Sequence, residues 1–299
     1  MNVSASRRKA AVALALVSLV WGYNWVTMKV GLSYAGPFQY AALRFSIAAL
    51  ILIPFGLWTG ERLWPSRNQW GPIFILGVGL AGNFGGCFTA LKLGGAGKTA
   101  VLTYTMPFWV LIFARLALHE ILSRWQWLSV AVALVGLGIL VEPWNLHGAV
   151  ASLIAVAGGM SWGATVVYVK HLQRHRDLSS FMLILWQMII GSAFLALAAV
   201  SFEHTPVGWT MEFWLALGYT TLFGSVIAWI LFYYALRRLP AGMTGLGTLA
   251  TPVIGVLCAA MQLGERPTAT ELAGMLLIGG ALTMLAWTPT RVIPETKTP

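Results

Sequence analysis

Residues 96–120 read AGKTAVLTYTMPFWVLIFARLALHE, and residues 241–265 read AGMTGLGTLATPVIGVLCAAMQLGE. A shift of 145 superposes Ala96, Gly97 and Thr99 on Ala241, Gly242 and Thr244. It continues with Thr103 on Thr248, Pro107 on Pro252, Leu118 on Leu263 and Glu120 on Glu265. A shift of 141 matches Trp21-Gly22 with Trp162-Gly163, Val26 with Val167 and Lys29 with Lys170. Single matches between apolar segments mean little, but an ordered series of Trp-Gly, Thr, Pro and Glu marks an internal repeat. The chain therefore reads as two copies of one unit, residues 1–145 and 146–299.

The flanking sequence shows what solvent these units occupy. The 299 residues are 58% hydrophobic and 9% charged, with a mean hydropathy of +0.77; a soluble chain carries roughly a quarter charged residues. That composition excludes disorder and a secreted disulfide scaffold. It also excludes a nucleic-acid footprint as the reason for 19 Lys and Arg against 9 Asp and Glu. An all-α integral membrane protein is expected, with the lipid bilayer as its surroundings, because a helix satisfies its own backbone in hydrocarbon.

Ten apolar windows of about the length needed to span a bilayer follow one another. They cover about 10–32, 38–58, 70–91, 97–114, 125–142, 148–169, 181–201, 213–236, 240–262 and 270–288. The first, behind Arg7, Arg8 and Lys9, begins as a signal peptide does. It is too long for one, lacks a clear small-residue cleavage site and continues through Trp21, Tyr23 and Trp25.

With both termini cytoplasmic, fourteen of the cations fall on the inner side: Arg7, Arg8, Lys9, Arg62, Arg67, Arg115, Arg124, Lys170, Arg174, Arg176, Arg237, Arg238, Arg291 and Lys297. Lys92, Lys98 and Arg266 fall outside, and Lys29 and Arg44 sit near outer helix ends. This positive-inside bias predicts a multi-pass protein of a bacterial-type inner membrane with cytoplasmic N- and C-termini. Five is an odd number of helices, so the second unit enters the membrane with the opposite orientation. An inverted repeat is a transporter signature, with substrate bound near the midplane between the units.

Ten short-looped helices in a five-plus-five repeat, Trp21-Gly22 with Asn24 and Lys29, the mid-helix prolines Pro107 and Pro252, and the closing Glu120 and Glu265 resemble the EamA-type members of the drug/metabolite transporter superfamily. Within it the chain is most similar to the YddG-type exporters of aromatic and other hydrophobic amino acids. The resemblance covers about residues 12–287. It implies ten transmembrane helices around a central cavity lined by spans 1, 3, 4, 6, 8 and 9.

Counting about 1.5 Å per residue, the midpoints of those spans fall near Trp21, Ala81, Met106, Gly159, Ser225 and Thr251. Polar and aromatic residues within two turns supply the candidate substrate-binding set: Trp21, Tyr23, Asn24, Asn83, Cys87, Thr103, Tyr104, Trp162, Thr165, Ser225, Trp229 and Thr248, with Ser161 nearby. Polar groups at this depth are costly unless paired or wet, which makes them functional candidates. Helix gluing by Ser and Thr, and aromatic packing, are the competing structural explanations. Trp58, Trp64, Trp70, Trp125, Trp127, Trp144, Trp209, Trp214 and Trp287 lie at span ends and read as interfacial anchors.

Pro107 and Pro252 each remove a helix hydrogen bond and read as hinges. Glycines in span 3 (Gly77, Gly79, Gly82, Gly85, Gly86) and span 9 (Gly242, Gly245, Gly247, Gly255) permit close helix approach. All nine acidic residues lie in loops, tails or last turns, so no midplane carboxylate is available to carry a coupling proton or bind sodium. A neutral, aromatic-rich passage with facilitated movement follows, any proton coupling being confined to end groups such as Glu120 or His119. Lys29 is a candidate for a substrate carboxylate at the outer vestibule, or else it snorkels to the interface.

Three motifs are rejected. Residues 77–82 fit G-x-G-x-x-G without a βαβ context. Residues 94–99 end like a P-loop but lack its first glycine, and they read as the start of span 4 with free amides. His171 and His175 are surrounded by Lys170, Arg174 and Arg176, which repel a metal ion. No cofactor, metal or enzymatic constellation is expected. The sequence thus predicts an exporter of small amphipathic metabolites, foremost aromatic and hydrophobic amino acids, working by alternating access. Threonine or homoserine, cysteine, nucleosides and drugs are the alternative cargoes.

Overall fold

The computed structural model describes residues 3–117, 122–141, 146–175, 178–239, 248 and 250–286. Outside them lie Glu120 and His119, Trp144 and Trp287, Gly242, Gly245 and Gly247, and the repeat matches at Leu118 and through 241–244. Among the described residues every regular element is helical. The elements are α1 (Val3–Gly31), α2 (Pro37–Thr59), α3 (Trp70–Leu93), α4 (Ala96–Thr103), α5 (Met106–Ala117), α6 (Arg124–Val141), α7 (Leu146–His175), α8 (Ser180–Phe202) and α9 (Met211–Thr221). A π-helical segment, Leu222–Ile227, joins α9 to α10 (Ala228–Arg238), and α11 (Ala250–Leu263) and α12 (Ala269–Ala286) follow.

Eight stretches are long and apolar enough to cross a membrane, and Ala250–Leu263 and Ala269–Met284 are shorter apolar helices. Local chemistry sets the ends. Pro37 opens α2, where its missing N–H is no loss. Gly60 closes the same helix at φ 70°, a left-handed cap that glycine adopts freely. Ser179 and Thr210 accept amides of α8 and α9 through their hydroxyls.

Two of the long stretches are broken where sequence alone shows a continuous window. Span 4 divides at Tyr104–Thr105 into α4 and α5, and span 8 passes through the π segment. Helices pack in a reciprocal pattern: α1 lies on α10 and α11, while α7 lies on α3 and on α4 and α5. Between these pairs α2 packs on α8 and α6 on α12.

Glycine makes the α3–α7 seam tight. A Cβ on Gly79 would stand 2.5 Å from Thr165 Oγ1, and one on Gly158 would stand 3.2 Å from the Asn83 carbonyl. Outward faces carry Leu57, Val200, Met261 and Leu276 in the open. Against water such a surface is a liability, whereas against lipid it is the low-energy arrangement. Trp58, Trp64, Trp70, Trp125, Trp127, Trp209 and Trp214 are all exposed at helix ends, as anchors require.

Candidate functional site

The helices converge on a narrow cavity. Trp21, Asn24, Trp25 and Met28 reach it from α1, because residues three and four apart share one helix face. The same spacing brings Asn83, Phe84, Cys87 and Phe88 from α3. Arg44 enters from α2, Thr103 and Tyr104 from the break in span 4, Trp162 from α7 and Trp229 from α10.

Aromatic rings form the walls. Trp21 meets Trp162 edge to face at 5.4 Å and Trp229 at 6.2 Å, and Tyr104 meets Trp162 at 5.5 Å. Phe84 tilts against Trp229 at 6.3 Å. Edge-to-face pairs contribute about 0.5–1.5 kcal/mol each beyond area burial. The Trp21 Nε1–H donates to the Gly224 carbonyl at 2.9 Å, which fixes the central indole against the π segment. Such segments recur at functional sites because they re-aim backbone groups.

Polar groups punctuate this wall unevenly. The Cys87 thiol donates to Asn83 Oδ1 at 3.2 Å and lies 3.6 Å from Thr103 Oγ1, so these three satisfy one another. Asn24 donates its Nδ2 to Met28 Sδ at 3.4 Å, but its buried Oδ1 has no partner. The buried Trp229 Nε1 is likewise unpartnered. A buried polar group without a hydrogen bond costs about 1–3 kcal/mol, so these two atoms call for a ligand group or water.

Of the twelve predicted binding residues, the cavity wall collects Trp21, Asn24, Asn83, Cys87, Thr103, Tyr104, Trp162 and Trp229. The other four are not among the lining residues. Tyr23 packs edge-on against Tyr219 at 5.2 Å. Thr165 donates to the Ser161 carbonyl at 2.9 Å within the α3–α7 seam. Thr248 is buried ahead of α11, where its carbonyl accepts the Thr251 amide at 3.0 Å. Ser225 touches the cavity only through Arg44.

Pro107 stands second in α5 rather than in mid-helix. It cannot donate to the carbonyl of Thr103, four residues earlier, and that carbonyl instead packs close to Gly159. Pro252 is third in α11 and has the same relation to Thr248.

The Lys29 ammonium donates to the carbonyls of Leu91 and Gly94 at the end of α3. Two expectations are corrected. The amides opening span 4 are not free, because Glu265 accepts those of Ala96 at 2.7 Å and Gly97 at 2.9 Å. Arg44 is not at a helix end. It lies seven residues into α2, is 1% exposed and lines the cavity, so the wall carries a cation among its aromatic rings.

Trp25, Met28, Phe84 and Phe88 also line the wall unpredicted. Trp25 and Met28 stand four residues from Trp21 and Asn24, Phe84 stands three from Cys87, and Phe88 stands four from Phe84; these spacings were the available signal.

A model of the EamA-like transporter family matches the chain twice, over residues 8–141 and 149–287. A Salmonella typhimurium protein named "Probable amino-acid metabolite efflux pump" is 28% identical, covering 93% of this chain and 94% of its own length. The Escherichia coli (strain K12) protein of the same name is 26% identical, with 91% and 92% covered. A Bacillus subtilis protein, "Uncharacterized transporter YoaV", is 25% identical, with 95% and 98% covered. A solved crystal structure superposes with a TM-score of 0.71 at 23% identity over 93% of this chain and 97% of that one, a likeness of fold. The chain belongs to the EamA-like transporter family and is a multi-pass membrane protein.

Proposed function

We propose that this member of the EamA-like transporter family exports small amphipathic metabolites, foremost aromatic and other hydrophobic amino acids, across a bacterial-type inner membrane. The observation that carries the reading is the cavity wall. Four large aromatic side chains, Trp21, Tyr104, Trp162 and Trp229, line a space whose wall residues also carry an unpartnered acceptor, Asn24 Oδ1, and an unpartnered donor, Trp229 Nε1. Such walls stack on a flat apolar body, and the orphaned polar atoms take its head group. The names carried by the Salmonella and Escherichia coli relatives agree with that cargo class.

The reciprocal packing of α1 and α7 supports two units, 1–145 and 146–299, inserted with opposite orientation as a ten-helix inverted repeat. Pro107 and Pro252 serve as hinges for alternating access. The charge bias puts both termini in the cytoplasm. Among the described residues, Glu203 and Glu265 bind helix-opening amides and Glu271 pairs with Lys98 at 3.1 Å. None lines the cavity, which supports facilitated movement without ion coupling. Proteoliposomes loaded with labelled tryptophan and challenged with phenylalanine, methionine, threonine and a nucleoside test the cargo. Phenylalanine is expected to compete best, and equal competition by threonine or the nucleoside would overturn the reading.

A further inference from the structure

Arg44 is a cation in the middle of a buried aromatic cluster, and among the described residues no carboxylate pairs with it. Its Nε–H donates to Ser225 Oγ at 2.6 Å and its Nη1–H to Met28 Sδ at 3.0 Å, a weak acceptor. The guanidinium lies 5.0 Å from the Phe45 ring centroid, 5.1 Å from Phe84 and 5.7 Å from Phe88. Serine, a thioether and three ring faces ease its burial, but none carries negative charge. Burying an ion without an opposite charge is strongly unfavourable, so the group is held there at a cost that a ligand can offset.

The site around it matches a particular ligand chemistry. Guanidinium presents a planar fork of N–H donors suited to a carboxylate, and the two donors engaged by Ser225 and Met28 leave others for a ligand. On the same cavity stand the unpartnered Trp229 Nε1 donor and the unpartnered Asn24 Oδ1 acceptor. Gly224 lets two of these groups close in. A Cβ there would stand 2.7 Å from Asn24 Oδ1 and 3.1 Å from Arg44 Nη2. Donors for an anion and an acceptor for an ammonium thus belong to residues that line one aromatic-walled space.

We propose that Arg44 is the receptor for a substrate carboxylate, so that the cavity selects solutes that carry a carboxylate on an aromatic or apolar body and rejects the corresponding amines. The proposal rests on the reading of this cavity as the transport site and narrows its substrate class. A zwitterionic amino acid satisfies both Arg44 and Asn24. An aromatic acid satisfies Arg44 alone, and an aromatic amine meets an uncompensated cation.

Three probes with one phenyl body separate these cases: L-phenylalanine, 3-phenylpropanoate and 2-phenylethylamine, titrated into the purified protein by calorimetry. Phenylalanine and 3-phenylpropanoate are expected to bind, and 2-phenylethylamine at least ~10-fold more weakly. Arg44→Gln is expected to weaken both carboxylates by ~10- to 100-fold and leave the amine unchanged or improved. Arg44→Lys keeps the preference for carboxylates at lower affinity, because a point charge lacks the fork.

Since Arg44 also packs three rings, the wild-type probe series and the lysine variant decide the matter if the glutamine variant does not fold. Equal binding of the amine and phenylalanine by the wild type overturns the role of Arg44 while leaving an amphipathic cargo intact. Binding of 3-phenylpropanoate without phenylalanine keeps Arg44 and overturns the amino-acid reading. Binding of none of the three overturns both.

Discussion

Lys29 and Lys170, 141 residues apart, perform the same task in the two halves of the chain. Lys29, at the end of α1, donates to the carbonyls of Leu91 and Gly94 where α3 ends. Lys170, near the end of α7, donates to those of Leu236 at 3.2 Å and Leu239 at 3.3 Å where α10 ends. The last carbonyls of a helix are unsatisfied by the helix itself and carry its negative dipole end, so an ammonium there is favourable twice over. In each half the first span thereby fastens the third.

This predicts that Lys29→Ala and Lys170→Ala each lower stability by about 1–2 kcal/mol, read as thermal unfolding in detergent, with unchanged affinity for substrate. A Lys29→Ala protein that unfolds normally but loses affinity would return Lys29 to the transport path.

The indole of Trp21 combines packing with one hydrogen bond, and the two are separable. Trp21→Phe keeps a ring against Trp162 and Trp229 but loses the bond to Gly224. A roughly 2- to 10-fold loss of affinity is expected, the value of one neutral hydrogen bond, with normal expression. Trp21→Ala opens a cavity and is expected to cost about 3–5 kcal/mol of stability. Equal affinity losses in the two variants would mean that the bond, not the ring, carries recognition.

Gly224 and Gly218 form a matched pair of tests on one span. A methyl at Gly224 would stand 2.7 Å from Asn24 Oδ1, whereas at Gly218 nothing lies within 4 Å. Gly224→Ala is predicted to reduce substrate affinity by about tenfold or more by pushing Asn24 and Arg44 apart. Gly218→Ala is predicted to be neutral or to stabilise by about 0.4–1 kcal/mol. Both are read by binding and by thermal unfolding.

Pro107→Ala restores an N–H that reaches for the Thr103 carbonyl and favours one continuous helix from Ala96 to Ala117. If the break is a hinge, flux in proteoliposomes falls several-fold while equilibrium binding holds. Unchanged flux would reduce Pro107 to a helix-opening residue.

What sequence showed and what it hid divides along physical lines. Hydropathy is a property of a window, so the long apolar helices were legible. The repeat was legible through residues with strict local tasks, such as Lys29 and Lys170 at helix ends and Pro107 and Pro252 in first turns. Counting residues along a helix gives depth but not azimuth, so it does not separate Asn24 and Cys87, which line the cavity, from Tyr23 and Thr165, which are not among its lining residues. The break at Tyr104–Thr105 has its marker in Pro107, which removes the hydrogen bond to Thr103, whereas the π segment Leu222–Ile227 contains no proline and has no comparable marker in the sequence. Arg44 was hidden because an arginine early in an outer-facing helix also reads as one that snorkels. Only Ser225, 181 residues away, and the rings of α3 reveal that it turns inward.

Counterflow of labelled phenylalanine is the most direct measurement. Purified protein in liposomes preloaded with unlabelled phenylalanine, with no pH, sodium or potential gradient, is predicted to take up the label transiently and saturably. An imposed pH or sodium gradient is predicted to drive no net accumulation. Absence of counterflow, or uphill accumulation driven by either gradient, would contradict the account.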